Sequence, residues 1–163
     1  MDHAPGTVTA LARTESPAHD LRLWLRLFAC AGMIEQRVRR GLRETFDTTL
    51  PRFDVLAQLD RAGEALTMGE LSRRLMVSNG NVTGLVGRLV DEGLVERRAS
   101  ASDRRAQLVR LTAAGRRAFR AMTPVHARWI ADALAGLEAG DKRRLLALLE
   151  SLRVSLAGQK ARP

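Results

Sequence analysis

Several features that are common in enzymes and in secreted proteins are scarce or missing in this sequence. It holds one cysteine in 163 residues, so no disulfide can form within the chain, and we expect a protein of the reducing cytoplasm. Among its three histidines, His3 and His19 lie on or beside an N-terminal arm, and His126 has no cysteine or carboxylate at metal-ligand spacing. We find no metal motif, phosphate-binding loop or nucleophile elbow. The sequence therefore predicts neither an enzyme nor a bound metal or cofactor.

Long apolar segments are also missing. No apolar run approaches about 20 residues, so we expect no membrane span, and no basic and apolar segment opens the chain as a signal peptide would. Charge of one sign is abundant instead: 27 Lys plus Arg stand against 18 Asp plus Glu, a formal net charge of +9. Nearly all of the cations are arginine, which binds phosphates and base edges through paired hydrogen bonds. This balance predicts an anionic partner without choosing between DNA, RNA and an acidic lipid surface.

Two short helices joined by a tight turn are predicted in the middle of the chain. Thr67 and Glu70 form a capping box for a helix that ends near Met76. Ser78 is the cap of a second helix, and Gly93 ends it. The second helix has one apolar stripe at helical spacing, which consists of Val82, Leu85, Val86, Leu89 and Val90. Such a pair of helices is a helix-turn-helix.

The outer face of the second helix is polar and rich in glycine. Its members are Asn79, Gly80, Asn81, Thr83, Gly84, Gly87 and Arg88. Asparagine pairs with adenine edges and arginine with guanine edges, which favours contact with bases in a major groove. Each glycine costs about 1 kcal/mol relative to alanine in a helix, so close approach of the backbone to a phosphate or base is one explanation. A face that only meets solvent is the alternative.

A basic hairpin is predicted after the second helix. Its strands are residues 94–98 and 107–111, and the connection is too long for a two-residue turn, so it should project as a wing. Asp103 can bond the loop backbone and direct Arg105 outward. An outward arginine suits the narrow, electronegative minor groove of DNA. Thr112 then caps the next helix.

These motifs together resemble the winged helix-turn-helix of MarR-type transcription regulators. The resemblance lies in residues 78–92, Gly93-Leu94-Val95, Asp103-x-Arg105 and Leu111-Thr112-x-x-Gly115, and it extends over roughly residues 21–156. It implies a mainly α fold of about six helices with a two-stranded β wing, which dimerises through its N- and C-terminal helices. The family often has arginine at the position of Gly84, which bears on base choice. The resemblance places double-stranded DNA contacts on Ser78, Asn79, Asn81, Thr83, Arg88, Arg104 and Arg105, with Asp103 supporting the wing.

The chain order predicts how these parts are connected. We expect a flexible arm over residues 1–18, a single domain over 19–157 and a tail over 158–163. Within the domain, residues 19–50 and 113–157 form dimerisation helices around a DNA-binding lobe at 51–112. The first helix, from about Asp20 to Arg40, is apolar nearly all round, so a second subunit should cover it. Gly41 should end or break that helix, Pro124 should kink or break a later one, and the last helix should run from about Gly140 to Leu156. A homodimer with two-fold symmetry implies a pseudo-palindromic site.

A small-molecule effector is the remaining partner that the resemblance implies. In the family, effectors bind between the end helices and the DNA-binding lobe, and one subgroup responds to aromatic acids or their coenzyme A thioesters. Cavity residues would then be Trp24, Phe28, Phe46, Phe53, His126 and Trp129. Arginines at its mouth, which would bind a carboxylate or phosphate, would be Arg40, Arg43 and Arg52. Ordinary core packing and a solvated face are the alternatives for these two sets.

The sequence thus predicts a ligand-responsive repressor that binds its operator as a homodimer. Two other functions stay open. Some relatives sense peroxide through a cysteine in the first helix, where tyrosine hydroxyls stabilise the thiolate. This chain has no tyrosine, and Cys30 is flanked by Phe28, Ala29 and Ala31, so we expect Cys30 to be packed and unreactive. The other alternative is a winged-helix interaction module that does not bind DNA.

Overall fold

A computed structural model describes residues 16–99 and 107–159 of the chain. Its described part contains six helices and three strands and divides into two compact units, one over residues 16–35 and the other over residues 36–99 and 107–159. The mainly α architecture predicted from the sequence is confirmed. The elements in chain order are α1 (Pro17–Phe46), α2 (Leu50–Ala62), β1 (Leu66–Thr67), α3 (Met68–Leu75), α4 (Asn79–Asp91), β2 (Val95–Ala99), β3 (Gln107–Leu111), α5 (Ala113–Ala133) and α6 (Ala139–Gln159).

Apart from Ser16, the described part of the N-terminal unit belongs to α1. The helix begins at Pro17, so Pro17 and Ala18 are helical although both were predicted to lie in the arm. Proline suits the first turn of a helix because its missing N–H has no helical partner there. Cys30 is exposed in the single chain, and so are its large apolar neighbours, so the packed position expected for it in a dimer stays a prediction. These exposed residues are Leu21, Leu23, Trp24, Leu25, Phe28 and Met33.

Gly41 neither ends nor breaks α1, which continues to Phe46. A Cβ built on Gly41 would lie 2.7 Å from two carbon atoms of the Trp129 ring. Glycine is therefore present because the indole of α5 packs directly on the backbone of α1 here, and that close packing explains why the predicted boundary was wrong. Val38 and Leu42, on the same part of the helix, are buried.

The core of the second unit is formed by α2, α3, α4 and the sheet. Pro51 occupies the first turn of α2, and Gly63 ends that helix in the left-handed conformation at φ 69°. The core side chains with no more than 1% exposure are Leu42, Val55, Leu56, Leu71, Val82, Val86, Leu89 and Val109. Burial of one such leucine or valine stabilises the fold by about 1.5–3 kcal/mol, so this cluster holds the two helices of the helix-turn-helix against α2.

The sheet has three antiparallel strands in the order β1-β3-β2, one more than the two predicted. In β1, Leu66 pairs with Val109 and Thr67 pairs with Leu108. The pairing of β2 with β3 runs from Val95 opposite Leu111 to Ala99 opposite Gln107. Two residues are too short for an alternating pattern to reveal a strand, so β1 was missed in the sequence.

Helix α5 continues through its proline, and α6 is slightly longer than predicted. Pro124 lies inside α5, which runs unbroken from Ala113 to Ala133, so the predicted break is absent. A proline removes one helical hydrogen bond, and Pro124 is exposed, so water can reach the carbonyl group that is left. Helix α6 has no buried residue in the described chain, and its leucines at 145, 146, 148, 149, 152 and 156 are all exposed. Among the described residues, no helix is both long and apolar enough to cross a membrane.

Candidate nucleic-acid interface

Helix α3 is fixed by hydrogen bonds at both of its ends, and the second of these leads into the turn before α4. At the start of α3, the Glu70 backbone N–H donates to Thr67 Oγ1 at 3.2 Å, and the Thr67 N–H donates to the Glu70 carboxylate at 2.8 Å. This reciprocal pair is the predicted capping box, which is confirmed. The bonds from Thr67 hold the pKa of Glu70 below its usual value. At the other end, the buried Ser72 hydroxyl donates to the Val77 carbonyl, and Met76 adopts φ 54°.

Helix α4 starts at its predicted cap and presents a polar face to solvent. Ser78 Oγ accepts from the Asn81 N–H at 3.4 Å, and Thr83 Oγ1 donates to the Asn79 carbonyl at 2.8 Å. Val82, Val86 and Leu89 are fully buried on the opposite side. The residues of this helix and its cap that were predicted to contact DNA are all exposed. They are Ser78, Asn79, Asn81, Thr83 and Arg88. Their side chains are thus available to an external partner.

The glycines of α4 have two different surroundings. No atom of the described chain outside the neighbouring backbone lies within 4 Å of a Cβ built on Gly80 or Gly84. Internal packing within the described residues therefore does not explain why these two positions lack a side chain. A Cβ on Gly87 would instead lie 3.7 Å from Nη2 of Arg97, in ordinary contact.

Arg97 is a residue of the interface that the sequence reasoning missed. Its Nη2 donates to the backbone carbonyl of Thr83 at 3.0 Å, which ties β2 to the middle of α4. Alternation along β2 was the available signal, since Val95 and Arg97 share one face of the strand and Val95 is buried.

A second basic group lies on the other face of the hairpin. Glu96 and Arg110 stand directly opposite each other in the β2–β3 ladder and form an ion pair. Arg98 lies 3.5 Å from the same Glu96 carboxylate oxygen. The hydrogen bond from Arg110 is the largest cause that holds the pKa of Glu96 below its usual value. Glu96 thus pairs with two cations within the hairpin, on the face opposite to the one that bonds α4.

The predicted wing tip lies outside the described residues. Asp103, Arg104 and Arg105 fall in the segment 100–106 between the two strands. Their predicted roles at the minor groove stay predictions.

Hydrogen bonds around Thr112 join the base of the hairpin to α5. Thr112 Oγ1 donates to the Gly93 carbonyl at 2.7 Å and accepts from the Gly115 N–H at 3.0 Å, as a helix cap does. The Thr112 N–H donates to the Leu94 carbonyl at 3.1 Å. The Leu111-Thr112-x-x-Gly115 motif therefore locks the end of α4, the hairpin and the start of α5 into one arrangement.

The aromatic residues predicted for an effector cavity form separate contacts. Phe53 stacks on His126 with ring centroids 4.6 Å apart, and Phe46 meets Trp129 edge-on at 6.3 Å. Phe53 also contacts Phe119, which was not among the predicted residues, at 5.4 Å. Phe53 is buried, and burial lowers the pKa of His126. Trp24 and Phe28 lie 5.8 Å apart within the N-terminal unit.

The three arginines predicted at the mouth of the cavity differ in their surroundings. Arg52 forms an ion pair with Glu92, and its Nε is buried without a hydrogen-bond partner in the described chain. Arg52 therefore links α2 to the end of α4, whereas Arg40 and Arg43 are exposed on α1. Within the described ranges, no group of three or more His, Cys, Asp or Glu side chains is arranged to hold a metal ion.

Two helices joined by a capped turn, a hairpin that follows them and an exposed polar second helix define a winged helix-turn-helix protein. The model of the MarR family matches residues 46–106. The regulator YkoM of Bacillus subtilis, described as an uncharacterized HTH-type transcriptional regulator, is 30% identical over 127 residues, which are 77% of this chain and 80% of YkoM. The chain belongs to the MarR family, which consists of DNA-binding transcriptional regulators and not of enzymes.

Other relatives agree with this assignment. The transcriptional activatory protein BadR of Rhodopseudomonas palustris is 38% identical over 97 residues, which span 58% of this chain and only 55% of BadR. A MarR family transcriptional regulator from Silicibacter pomeroyi has a similar structure, with a TM-score of 0.74, 33% identity and coverage of 87% of this chain and 99% of that one. A mutant MarR from E. coli, solved with operator DNA, has a TM-score of 0.73 at 25% identity, with coverage of 85% and 99%.

Proposed function

We propose that the protein is a homodimeric, ligand-responsive regulator that binds a pseudo-palindromic operator through α4 and the wing. The observation that carries the proposal is the outer face of α4. It combines exposed hydrogen-bonding side chains with two glycines, Gly80 and Gly84, whose missing side chains nothing in the described chain explains. A helix of this kind can approach base edges closely in a major groove. The related MarR from E. coli was solved with operator DNA, which supports this assignment.

The proposed contacts divide into two classes. Asn79, Asn81, Thr83 and Arg88 have side chains that can bond base edges, while the N–H groups at the start of α4, next to Ser78, suit a phosphate. On the sequence argument, Arg105 reaches the minor groove, with Arg104 beside it and Asp103 as the support of the loop. Phosphate contacts fix the position of the protein on the duplex, and base contacts select the sequence.

Exposed leucines support the proposed dimer. In α6, Leu146 and Leu148 are 70% and 68% exposed, and six large apolar residues of α1 are exposed as well, namely Leu21, Leu23, Trp24, Leu25, Phe28 and Met33. Apolar surface of this extent is rarely left in water by a monomer, so we infer that a second copy covers it. A two-fold axis through these helices would present two α4 helices to successive major grooves, about 34 Å apart. The operator would then read nearly the same on both strands.

The proposed effector is an aromatic acid or its coenzyme A thioester. The paired rings of Phe46 with Trp129 and of Phe53 with His126 supply aromatic surface, and Arg40 and Arg43 are exposed cations that suit a carboxylate or phosphate. The dimer would have one conformation whose α4 helices fit successive major grooves and another whose α4 helices do not. An effector that binds the second conformation better would increase its population and so lower the affinity of the protein for DNA. Such a protein represses where its operator overlaps a promoter. We therefore propose repression, although the relative BadR is described as an activatory protein.

Selection of duplexes from a random library by the purified protein tests the proposal. We expect an enriched pseudo-palindrome, bound more tightly than a scrambled duplex at the same salt concentration. The logarithm of the binding constant should fall steeply with the logarithm of salt concentration. A chain that shows no sequence preference and no salt dependence would instead be the non-DNA-binding interaction module. Thermal shifts with aromatic acids and their thioesters then identify the effector, because a ligand at 100 times its dissociation constant adds about 2.7 kcal/mol of stability.

Thiol-based release from DNA through Cys30 is a second candidate function, and it requires that Cys30, which is exposed in the single chain, stay exposed in the proposed dimer. A solvent-accessible thiol is open to oxidation by peroxide, whereas a packed one is protected. Peroxide should then release the wild-type protein from its selected duplex but leave Cys30→Ser bound. If both proteins stay bound, Cys30 has no part in regulation.

A further inference from the structure

The strand β2 carries an arginine on the face that packs towards the core. Val95, two residues earlier on the same face, is buried, and the ladder partner of Arg97 is the fully buried Val109. Directly opposed residues of an antiparallel pair point to the same side of the sheet. Arg97 therefore extends from the core side of β2, past the edge of the apolar cluster, while Arg98 extends from the other side.

The guanidinium of Arg97 forms a hydrogen bond with α4, the second helix of the helix-turn-helix. Its Nη2 lies 3.0 Å from the carbonyl oxygen of Thr83, in the middle of α4. A carbonyl oxygen has two lone pairs, so it can accept this bond in addition to one from within the helix. A Cβ on Gly87, one turn further along, would be in ordinary van der Waals contact with Nη2 at 3.7 Å, so the guanidinium lies against this part of the helix.

Thr83, whose carbonyl accepts this bond, lies on the exposed face of α4 that we propose contacts base edges. Thr83 is exposed, and its hydroxyl is oriented by the Asn79 carbonyl at 2.8 Å. A rotation of α4 about its axis would move Asn79, Asn81 and Thr83 together relative to the wing strands. The bond from Arg97 opposes such a rotation because it joins the helix backbone to β2.

We propose that Arg97 is a positioning residue that sets the rotation of α4 relative to the wing, and thereby the base preference of the protein. This inference rests on the proposed function, because it assigns the bond a role in reading an operator. A charged donor makes a stronger hydrogen bond than a neutral one, so loss of the bond has a measurable effect. We expect the loss to lower the ratio of specific to nonspecific affinity, because Arg97 bonds a backbone oxygen of α4 and not a phosphate.

Binding of three proteins to the selected duplex and to a scrambled one tests the role in recognition. The proteins are the wild type, Arg97→Ala and the control Arg98→Ala, which loses the same charge from the neighbouring position on the opposite face. We expect the ratio of specific to nonspecific affinity to fall about tenfold in Arg97→Ala. The salt slope, which is the slope of the logarithm of the binding constant against the logarithm of salt concentration, should not change. In Arg98→Ala, the ratio should stay that of the wild type.

A different result identifies Arg97 as a phosphate contact and overturns the proposal. In that case Arg97→Ala weakens binding to both duplexes equally, and its salt slope falls by about 0.9. Unchanged discrimination in Arg97→Ala also overturns it. If the wild type itself shows no preference between the duplexes, the proposed function fails, and the role of Arg97 in recognition fails with it.

Hydrogen exchange without DNA tests the bond independently of the proposed function. The amides of α4 should exchange about tenfold faster in Arg97→Ala than in the wild type or in Arg98→Ala, because the helix has lost its link to β2. Gly87→Ala should exchange no faster than the wild type, since its Cβ fits beside Nη2 and alanine favours the helix, whereas Gly87→Leu should behave like Arg97→Ala. Equal exchange in Arg97→Ala and Arg98→Ala would show that the bond does not hold the helix.

Discussion

The backbone of Gly115 passes so close to Leu94 that a Cβ at position 115 would lie 1.9 Å from the Leu94 carbonyl oxygen. The same carbonyl accepts the Thr112 N–H at 3.1 Å. The start of α5 and the beginning of the hairpin are therefore in direct backbone contact, and no side chain fits between them. This contact explains why a glycine follows Leu111-Thr112 at that spacing.

Gly115→Ala is predicted to destabilise the fold strongly. The collision is with backbone, which cannot rotate away, so α5 has to move from the hairpin and its cap at Thr112 is strained. We expect a loss of about 3 kcal/mol or more in the free energy of unfolding, measured by urea denaturation. Gly69→Ala is the matched control, because no atom of the described chain lies within 4 Å of its Cβ. A loss that is equally small in both variants would contradict the close contact.

Gly84→Ala is predicted to change stability and DNA binding in opposite directions. Gly84 is in the interior of α4 with open space beside it, so alanine should stabilise the helix by about 1 kcal/mol. If α4 approaches DNA closely, the added methyl group meets the duplex, and operator affinity should fall. Urea denaturation and binding to the selected duplex measure the two effects. A variant that is more stable and binds equally well would show that Gly84 does not face the DNA.

Stability is predicted to fall in mild acid because of His126. Burial lowers the pKa of His126 from the ordinary value of 6.5, so the folded state favours the neutral ring that stacks on Phe53. The unfolded chain then binds more protons than the folded one below pH 6.5, and the free energy of unfolding decreases as the pH falls through this window. Urea denaturation between pH 7.5 and about 5 measures the slope, and His126→Phe should reduce it. An equal slope in this variant would assign the effect to other groups.

The parts of the fold that were predicted correctly depend on neighbours in the sequence. The capping box of Thr67 with Glu70, the cap at Ser78 and the cap at Thr112 each involve residues three positions apart. Local patterns of this kind are visible in a sequence because the partners are fixed by the geometry of the helix itself. The start of α4, the helix that we propose contacts DNA, followed from the cap at Ser78.

The parts that were missed depend on contacts between distant residues. Gly41 was taken as a helix end because glycine is a weak helix former, but the ring of Trp129 requires it. Arg97 was not recognised because its partner, Thr83, lies on another element, and β1 was not recognised because it consists of two residues that pair with β3. Tertiary contacts override local preferences at such positions, and a single sequence does not show them.

Arg105→Ala is predicted to weaken operator binding and to reduce the preference for narrow minor grooves. Arg105 lies outside the described residues, so this prediction rests on the Asp103-x-Arg105 motif and on the hairpin strands that flank it. An arginine in a narrow minor groove gains from the strong negative potential there, and its loss should cost about 1–3 kcal/mol of binding free energy. Duplexes that differ only in an A-tract beside the major-groove site should be distinguished by the wild type and not by the variant.

The control for this experiment is Arg61→Ala, which removes the same charge from the end of α2. A cation that acts only through the overall charge of the protein should weaken binding slightly at low salt and equally on every duplex, because such an effect is screened. If Arg105→Ala behaves like Arg61→Ala at a fixed salt concentration, the wing arginine does not enter the groove. The recognition helix alone would then account for the sequence preference.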